Sequence, residues 1–302
     1  MSMISIDYPQ TMLEMCGISK AELEERILLL KNHLGEPFVE ALFSRYGGLS
    51  VALINQICER SVLLESLSTA SGFNRIRARI IKQKNHPASL DEPHGEWFQL
   101  IVGYLLESVD EQPLFEQKID GDPKDILLRQ GDIHIECKSF RGSEAHNRAL
   151  DRLLRFGNDA NARSDNLDGF TVSYTVITSI PGWPPNPSFS VNEYLRFLQK
   201  GIEGKIEQLL VGRCNLIAFN SDLFVGEVQN FRKTLRNLLI QDHRISGLLV
   251  IRRNHTLPGD PYKLLGSAYS IEVIANPQAN IKVPADLMEK LMPQVRKIAL
   301  RL

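Results

Sequence analysis

Residues Asp125 to Lys138 read DILLRQGDIHIECK, the pattern of two short apolar strands joined by a turn. The turn is predicted at Gln130-Gly131-Asp132, and Asp125 opens the first strand. Side chains alternate between the two faces of a strand, so Glu136 and Lys138 on the second strand are expected to share a face. That polar face would hold a carboxylate and an amine close together, with Asp125 on the neighbouring strand.

The opposite face of the second strand is apolar apart from one thiol. It consists of Ile133, Ile135 and Cys137, which can bury in a core. The polar face can then hold a hard divalent cation beside a general base or a charge-stabilising group.

The segments around this hairpin predict an α/β (α+β) fold. In chain order, the predicted elements are a helix at Gly95–Ser108, strands at Leu114–Ile119, Asp125–Arg129 and Asp132–Ser139, a long helix at Ser143–Arg163 and a strand at Phe170–Ser179. The order from Gly95 onward is therefore helix, three strands, helix, strand.

Further α/β elements are predicted after the loop Pro181–Pro187, whose four prolines exclude a helix or an interior strand. They are helices at Val191–Gln208, Val225–Gln241 and Pro284–Leu300, and strands at Asn215–Phe219, Gly247–Arg252 and Tyr269–Ala275.

The first ~90 residues are predicted to be helical, because apolar residues recur there at helical spacing and no strand-like alternation occurs. Ser19 and Glu22 form a capping-box pattern at the head of a helix that Gly35 ends. Three further helices are predicted at Pro37–Arg45, Ser50–Ser66 and Ser71–Lys84. A break near residues 86–93 divides the chain into a helical segment, 1–90, and a second domain, 91–302.

The composition is that of an ordinary globular protein, with 302 residues, 43% hydrophobic and 24% charged. No apolar run reaches the roughly 18–20 residues that span a bilayer, and the N-terminus lacks the pattern of a signal peptide, so we expect a cytoplasmic protein without membrane contact. The four cysteines and seven histidines show no zinc-site spacing, which predicts reduced, buried thiols. The net charge is −1, so any nucleic-acid binding must come from local basic patches.

Residues 123–138 resemble the signature of the PD-(D/E)xK nuclease superfamily. In that signature, an aspartate on one strand is followed by (D/E)-x-K on the next. Here the signature reads Pro123-Lys124-Asp125 and then Glu136-Cys137-Lys138. The family core is αβββαβ, a restriction-endonuclease-like mixed sheet flanked by helices, and the resemblance places it at about 95–179. One departure is Lys124, since the family's proline normally lies immediately before its aspartate.

The resemblance implies that Asp125, Glu136 and the main-chain carbonyl of Cys137 bind Mg²⁺, with Mn²⁺ as a substitute. Lys138 would orient or deprotonate the attacking water and offset negative charge on the phosphate. Glu96, at the start of the first core helix, would be the fourth member of the catalytic and metal-binding set. The alternative for Glu96 is a first-turn glutamate that complements the helix dipole.

His134 shares the predicted face of Glu136 and Lys138. It could contact substrate or a metal-bound water, or it could be a polar residue at the edge of that face.

Two basic segments are candidates for DNA binding. The first contains no acidic residue and comprises Arg75, Arg77, Arg79, Lys82 and Lys84. It could select a nucleic-acid target, or it could be a basic surface that pairs with acids elsewhere in the chain. The second is a stripe at helical spacing, Arg148, Arg152 and Arg155, which could follow a phosphate backbone or be a solvated helix face.

The predicted function is that of a Mg²⁺-dependent endonuclease that hydrolyses DNA in restriction, defence or repair. By resemblance it could act as a homodimer. One alternative is a protein with the nuclease fold but no activity, which binds nucleic acid or a regulatory partner through the same surface. Another is a chance motif in an unrelated α/β protein, with Glu136 and Lys138 as a surface pair.

Overall fold

A computed structural model describes residues 10–45, 49–82, 95–139, 163–167, 170–174, 191–221, 228–254, 267–292 and 295–298. Its helices are α1 (Gln10–Cys16), α2 (Lys20–Leu34), α3 (Glu36–Arg45), α4 (Val51–Leu67), α5 (Phe73–Lys82), α6 (Gly95–Glu107), α7 (Val191–Ile206), α8 (Val228–Leu239) and α9 (Ala285–Leu291). Its strands are β1 (Leu114–Ile119), β2 (Asp122–Leu128), β3 (Ile133–Lys138), β4 (Arg163–Leu167), β5 (Phe170–Tyr174), β6 (Cys214–Asn220), β7 (Gly247–Asn254), β8 (Ser267–Ala275) and β9 (Val295–Ile298).

Helices α2, α3 and α4 begin and end within one residue of their predicted bounds, whereas α1 was not predicted. The Ser19 hydroxyl accepts a hydrogen bond from the Glu22 amide at the head of α2, and the Glu22 carboxylate accepts one from the Ser19 amide. Gly35 ends α2 with φ +88°, a conformation that favours glycine. The predicted capping box and helix end are therefore confirmed.

Seven of the strands in the described ranges form one mixed sheet in the order β1-β2-β3-β6-β7-β8-β9. The pairs β1-β2 and β2-β3 are antiparallel, β3-β6 and β6-β7 are parallel, and the last two pairs are antiparallel. This mixed sheet with flanking helices confirms the predicted α/β class.

Helices cover both faces of this sheet, and β6 shows how the sequence is divided between them. Leu216 and Ala218 belong to an apolar core shared with α1–α6, whereas Ile217 and Phe219 pack in a second core with Ile202 of α7 and residues of α8. A strand buried on both faces reads as a continuous apolar run, as Cys214–Asn220 does apart from its asparagines.

The predicted strand Phe170–Ser179, the last element of the order over 95–179, is not part of the seven-stranded sheet. Phe170–Tyr174 is a strand, but it pairs with Arg163–Leu167 in a separate two-stranded sheet, and β6 is the strand parallel to β3. Only two residues separate β4 from β5, so their local pairing has a small loop-closure entropy. The predicted helix end at Arg163 is also wrong, because Arg163 begins β4. The rest of that helix, with Arg148, Arg152 and Arg155, falls outside the described residues.

The predicted C-terminal helix Pro284–Leu300 is only partly correct. Helix α9 covers Ala285–Leu291, and Val295–Ile298 form strand β9, which pairs with β8. The reason is Pro293, which cannot continue a helix and disfavours helical geometry in the residue before it. Met292 accordingly has ψ 153°, outside the helical range.

The helical N-terminal segment packs directly on the sheet. The buried Glu59 of α4 accepts hydrogen bonds from Arg253 Nη2 and the Tyr269 hydroxyl, each at 2.9 Å, on β7 and β8. Close to β1, a Cβ atom at Gly103 of α6 would lie 2.2 Å from Phe115 Cζ. Glycine at this position therefore lets α6 approach the strand that borders the candidate site.

No helix in the described ranges has the length and apolar character needed to cross a membrane. All four cysteines are free and buried, as predicted.

Glu111 joins three parts of the fold. Its carboxylate, 6% exposed, accepts hydrogen bonds from Arg129 Nη2 at 2.7 Å and from Lys290 Nζ at 2.9 Å. Arg129 follows β2, and Lys290 lies in α9. The hydrogen bonds from Arg129, and then those from Lys290, hold the pKa of Glu111 below its ordinary value.

Replacing Glu111 by Gln should lower the free energy of unfolding by about 1.5–3 kcal/mol at pH 7, the range for hydrogen bonds to charged groups. A depressed pKa stabilises the fold above the unfolded pKa, and this contribution is lost as the pH falls through the folded pKa. The difference between the two proteins in urea unfolding should therefore disappear near ~pH 3. The exposed Asp110→Asn variant is the control, and an equal effect at both pH values would contradict the assignment.

Candidate active site

The two motif carboxylates face each other across neighbouring strands. Ile126 of β2 pairs with Ile135 of β3, and continuing this register by one residue brings Asp125 opposite Glu136. The predicted alternation is confirmed, since Ile133, Ile135 and Cys137 lie in the apolar core. Glu136 is buried and Asp125 is half-buried, and two carboxylates at directly opposed positions repel each other, so this arrangement requires positive charge nearby.

Lys205, near the end of α7, supplies that charge. Its ammonium lies 2.7 Å from Glu136 Oε2, 3.2 Å from Asp125 Oδ2 and 2.9 Å from Gln208 Oε1. Burial alone would lower the pKa of Lys205, but the charges of Asp125 and Glu136 raise it above its ordinary value. The lysine is therefore held in its charged form between the two carboxylates.

Asp125 has a partner for each carboxylate oxygen. Gln99 Nε2 donates to Oδ1 at 2.5 Å, and the main-chain N–H of Cys137 donates to Oδ2 at 2.8 Å. Burial, followed by the charge of Glu136, raises the pKa of Asp125 to about 6. Asp122 on the same strand is exposed and outside this network.

Glu136 is fixed from the other side by His134. The side chain of Glu136 is 2% exposed, and its Oε1 lies 2.7 Å from His134 Nε2. Burial acts to raise the pKa of Glu136, but the hydrogen bond with His134 and the charge of Lys205 lower it below its ordinary value. Glu136 is buried, so it does not form an exposed surface pair with Lys138, whereas the alternative of a chance motif stays untested.

Asn215 of β6 determines the hydrogen-bonding role of His134. The amide nitrogen of Asn215 donates to the carbonyls of Leu210, Arg213 and Arg244, which leaves Oδ1 as the acceptor 3.1 Å from His134 Nδ1. Nδ1 therefore carries a proton, and one further proton lies between Nε2 and Glu136 Oε1. Neither prediction for His134 is correct, because the ring is fully buried and positions Glu136 from within the fold.

A second group of charges surrounds Arg79 of α5. Its guanidinium binds both carboxylate oxygens of Glu116, at 2.6 and 2.8 Å, and donates to Gln99 Oε1 at 3.1 Å. Arg79 Nε lies 3.4 Å from Glu96 Oε1. Glu96 is thus in the first turn of α6, as predicted, with its carboxylate paired to Arg79.

Gln99 connects this group to the motif carboxylates. It accepts from Arg79 and donates to Asp125, so the Arg79 side chain fixes the orientation of the amide that holds Asp125. Glu116, on β1, has a left-handed φ of +52°, which is rare outside glycine and costs energy. Arg75 Nη1 donates to the main-chain carbonyl of Glu116, so two arginines bind this strained residue.

The basic residues of α5 fall into two groups, those that bind Glu116 and those that do not. Arg75 and Arg79 point to Glu116, which confirms for Arg79 the alternative of pairing with acids elsewhere in the chain. Arg77 is half-buried and Lys82 is exposed, and DNA binding by these two stays a prediction. Lys84 falls outside the described residues.

Lys138 lies two residues beyond Glu136 at the end of β3 and is half-buried. Burial lowers the pKa of Lys138, and the positive charge of Lys205 lowers it further. Lys124, the departure from the family pattern, is buried and donates to the Gln208 carbonyl at 3.1 Å. It therefore holds the segment after α7 against β2.

The oxygens around the Lys205 ammonium are suited to a hard cation. Mg²⁺ prefers oxygen ligands and is commonly held by one or two carboxylates, with water completing its shell. Asp125, Glu136 and the Gln208 amide oxygen form such a set. Glu96 and Glu116 are drawn to Arg79 instead, and the described parts of the chain contain no cluster of three or more His, Cys, Asp or Glu side chains suited to a metal.

Several of these residues were missed in the sequence. A polar residue inside the apolar helix WFQLIVGYLL was a usable signal for Gln99, since buried polar groups require partners. Lys205 and Asn215 gave no signal, because neither lies near the motif in the chain.

No protein-family model, no curated protein and no solved structure matches this chain.

Proposed function

We propose that this protein is a metal-dependent nuclease of the PD-(D/E)xK type that hydrolyses phosphodiester bonds in DNA. The observation that carries the proposal is the meeting of Asp125 and Glu136 on adjacent strands at a single ammonium, with Lys138 two residues along the same strand. Burial of these carboxylates argues against a solvated surface role, because buried charges are seldom placed without a partner or a function.

The order of elements supports the same proposal. Helix α6 is followed by antiparallel β1, β2 and β3, then by α7 and by β6, which lies parallel to β3. This succession resembles the αβββαβ order, with β4 and β5 lying between β3 and α7 in the chain. A right-handed crossover through a helix is the usual way to join parallel neighbours.

Each residue of the site has a separate role in the proposed phosphodiester hydrolysis. Asp125 and Glu136 would hold Mg²⁺ or Mn²⁺, which supplies Lewis acidity toward the phosphate and an acidified water. Lys138 is the group that can accept a proton from the attacking water, because its lowered pKa increases the neutral fraction of the amine. Gln99 and His134 keep the two carboxylates in place.

A second candidate function has one observation in its favour. Lys205 already neutralises part of the charge on Asp125 and Glu136, so these carboxylates have a cationic partner that is not a metal. A nuclease-fold protein that binds nucleic acid without cutting it would keep such a lysine.

The test is cleavage of plasmid and linear DNA in the presence of Mg²⁺, Mn²⁺ or EDTA. We expect cleavage with either metal and none with EDTA, with a discrete band pattern if recognition is sequence-specific. Lys138→Ala should slow cleavage by at least ~10²-fold, the lower range for general acid–base catalysis. The exposed Lys118→Ala on β1 should cut like the wild type.

Two other outcomes would decide against this function. A wild type that shifts DNA in a gel but never cuts it would favour the binding protein. Cleavage that continues unchanged in EDTA and in Lys138→Ala would place the reaction at another site.

A further inference from the structure

The Lys205 ammonium is bound like a coordinated cation. Its three N–H donors each have an acceptor, namely the carboxylates of Glu136 and Asp125 and the amide oxygen of Gln208. The side chain is 16% exposed, so the ammonium and its three acceptors are largely shielded from solvent.

The two carboxylates need this charge for the fold to be stable. They lie at opposed positions on β2 and β3, Glu136 buried and Asp125 half-buried, and the only side-chain cation within hydrogen-bonding distance of both, among the described residues, is Lys205. The proton shared by His134 Nε2 and Glu136 Oε1 offsets one negative charge, and the Lys205 ammonium offsets the other, so a cation is part of this site in either state. The carboxylate oxygens of Asp125 and Glu136 can therefore bind either the Lys205 ammonium or a divalent metal ion.

We propose that Lys205 and a divalent metal ion occupy the same oxygen cage alternately, so that metal binding requires the Lys205 ammonium to leave. This inference rests on the metal dependence of the proposed function and adds a control on it. Lysine can serve as such an internal cation because its ammonium is compact and its four-carbon stem is flexible.

The surrounding contacts allow this exchange without movement of the helix. Lys124 Nζ donates to the main-chain carbonyl of Gln208 at 3.1 Å, so the end of α7 stays attached to β2 when the Lys205 side chain rotates. The site then has a lysine-bound state that is stable without metal and a metal-bound state in which the ammonium lies toward solvent.

Metal affinity is the direct test, with Mn²⁺ as the probe in isothermal titration and in electron paramagnetic resonance of free Mn²⁺. Lys205→Met keeps the apolar stem but removes the competing charge, and it should bind Mn²⁺ at least ~10-fold more tightly than the wild type, which corresponds to 1.4 kcal/mol. Lys200→Met, exposed on the same helix, should bind like the wild type. Equal or weaker binding by Lys205→Met would overturn the inference.

Thermal unfolding gives a second readout for the same variants. Without metal, Lys205→Met should unfold at a lower temperature, because two buried carboxylates lose their cation. Added Mn²⁺ should raise its melting temperature more than that of the wild type, since tighter binding to the folded state gives a larger stabilisation.

A measurement on the wild type covers the case in which Lys205→Met does not fold. Lysine acetylation followed by mass spectrometry should show faster modification of Lys205 when Mn²⁺ is present, with Lys200 unchanged. Metal binding that leaves Lys205 equally protected would overturn the inference, as would no Mn²⁺ binding by any variant.

These readouts do not depend on DNA cleavage. Metal exchange at Lys205 without cleavage would reject the proposed nuclease and retain the inference. Metal-dependent cleavage with equal Mn²⁺ affinities in Lys205→Met and the wild type would support the proposed nuclease and reject the inference.

Discussion

Asp125→Asn should lower the rate of DNA cleavage by more than ~100-fold, because loss of an outer-shell partner of a metal ligand already costs about 10–100-fold. Asp125 is a proposed ligand itself and lies opposite Glu136 in the hairpin register. The substitution changes no volume, so the effect should reflect charge and hydrogen bonding. Steady-state cleavage at saturating Mg²⁺ measures it.

Asparagine is a poor replacement at this position for a reason specific to the site. Both oxygens of Asp125 accept, one from Gln99 Nε2 and the other from the Cys137 N–H and Lys205. Gln99 cannot reverse its amide, since its oxygen accepts from Arg79. The NH₂ group of asparagine would therefore face a donor in either orientation.

Asp122→Asn is the matched control, because Asp122 is on the same strand and exposed. It should cleave DNA at the wild-type rate, and both variants should give wild-type circular dichroism. An Asp125→Asn variant that is folded and fully active would reject the assigned site. An inactive Asp122→Asn variant would instead indicate that Asp122 is the aspartate of the active site.

Arg79→Ala should lower the free energy of unfolding by about 2–4 kcal/mol, below the 3–5 kcal/mol for a fully buried pair because the Arg79 side chain is 38% exposed. The variant leaves the Glu116 carboxylate, 5% exposed, without its bidentate partner. Chemical denaturation measures this loss. Cleavage should fall by about 10–100-fold in the folded protein, because Gln99 loses the donor that orients it toward Asp125.

A double variant separates charge from position. Arg79→Ala with Glu116→Gln removes the uncompensated charge, so it should recover part of the stability but little of the cleavage rate. Asn74→Ala, exposed on the same helix and uncharged, should leave the cleavage rate unchanged and alter the free energy of unfolding by no more than about 0.5 kcal/mol. Full recovery of cleavage in the double variant would mean that Gln99 does not depend on Arg79 for its position.

The β2–β3 hairpin and its two faces could be predicted because local alternation fixes them. Ile133, Ile135 and Cys137 alternate with polar residues over only six positions, and the turn residues before Ile133 mark the start of the strand. The capping box at Ser19 is local in the same way. Such patterns need no knowledge of the rest of the chain.

The partners of the motif could not be predicted, because each comes from a distant part of the chain. Lys205 is 69 positions from Glu136, and Asn215 is 81 from His134. Nothing in the sequence near Lys205 distinguishes it from the exposed Lys200 on the same helix. Position in the sheet is also non-local, since β5 has a strand-like sequence but pairs with β4.

The hydrogen bonds of Glu59 have a consequence for the order in which the chain folds during synthesis. Its partners Arg253 and Tyr269 lie 194 and 210 positions later. At translation rates of about 5–20 residues per second, α4 leaves the ribosome roughly 10–40 s before either partner exists. Over that interval, the nascent helical segment exposes the Glu59 carboxylate without its later partners, together with apolar surface that the sheet covers in the folded protein. Binding by a chaperone would then have its largest effect on yield.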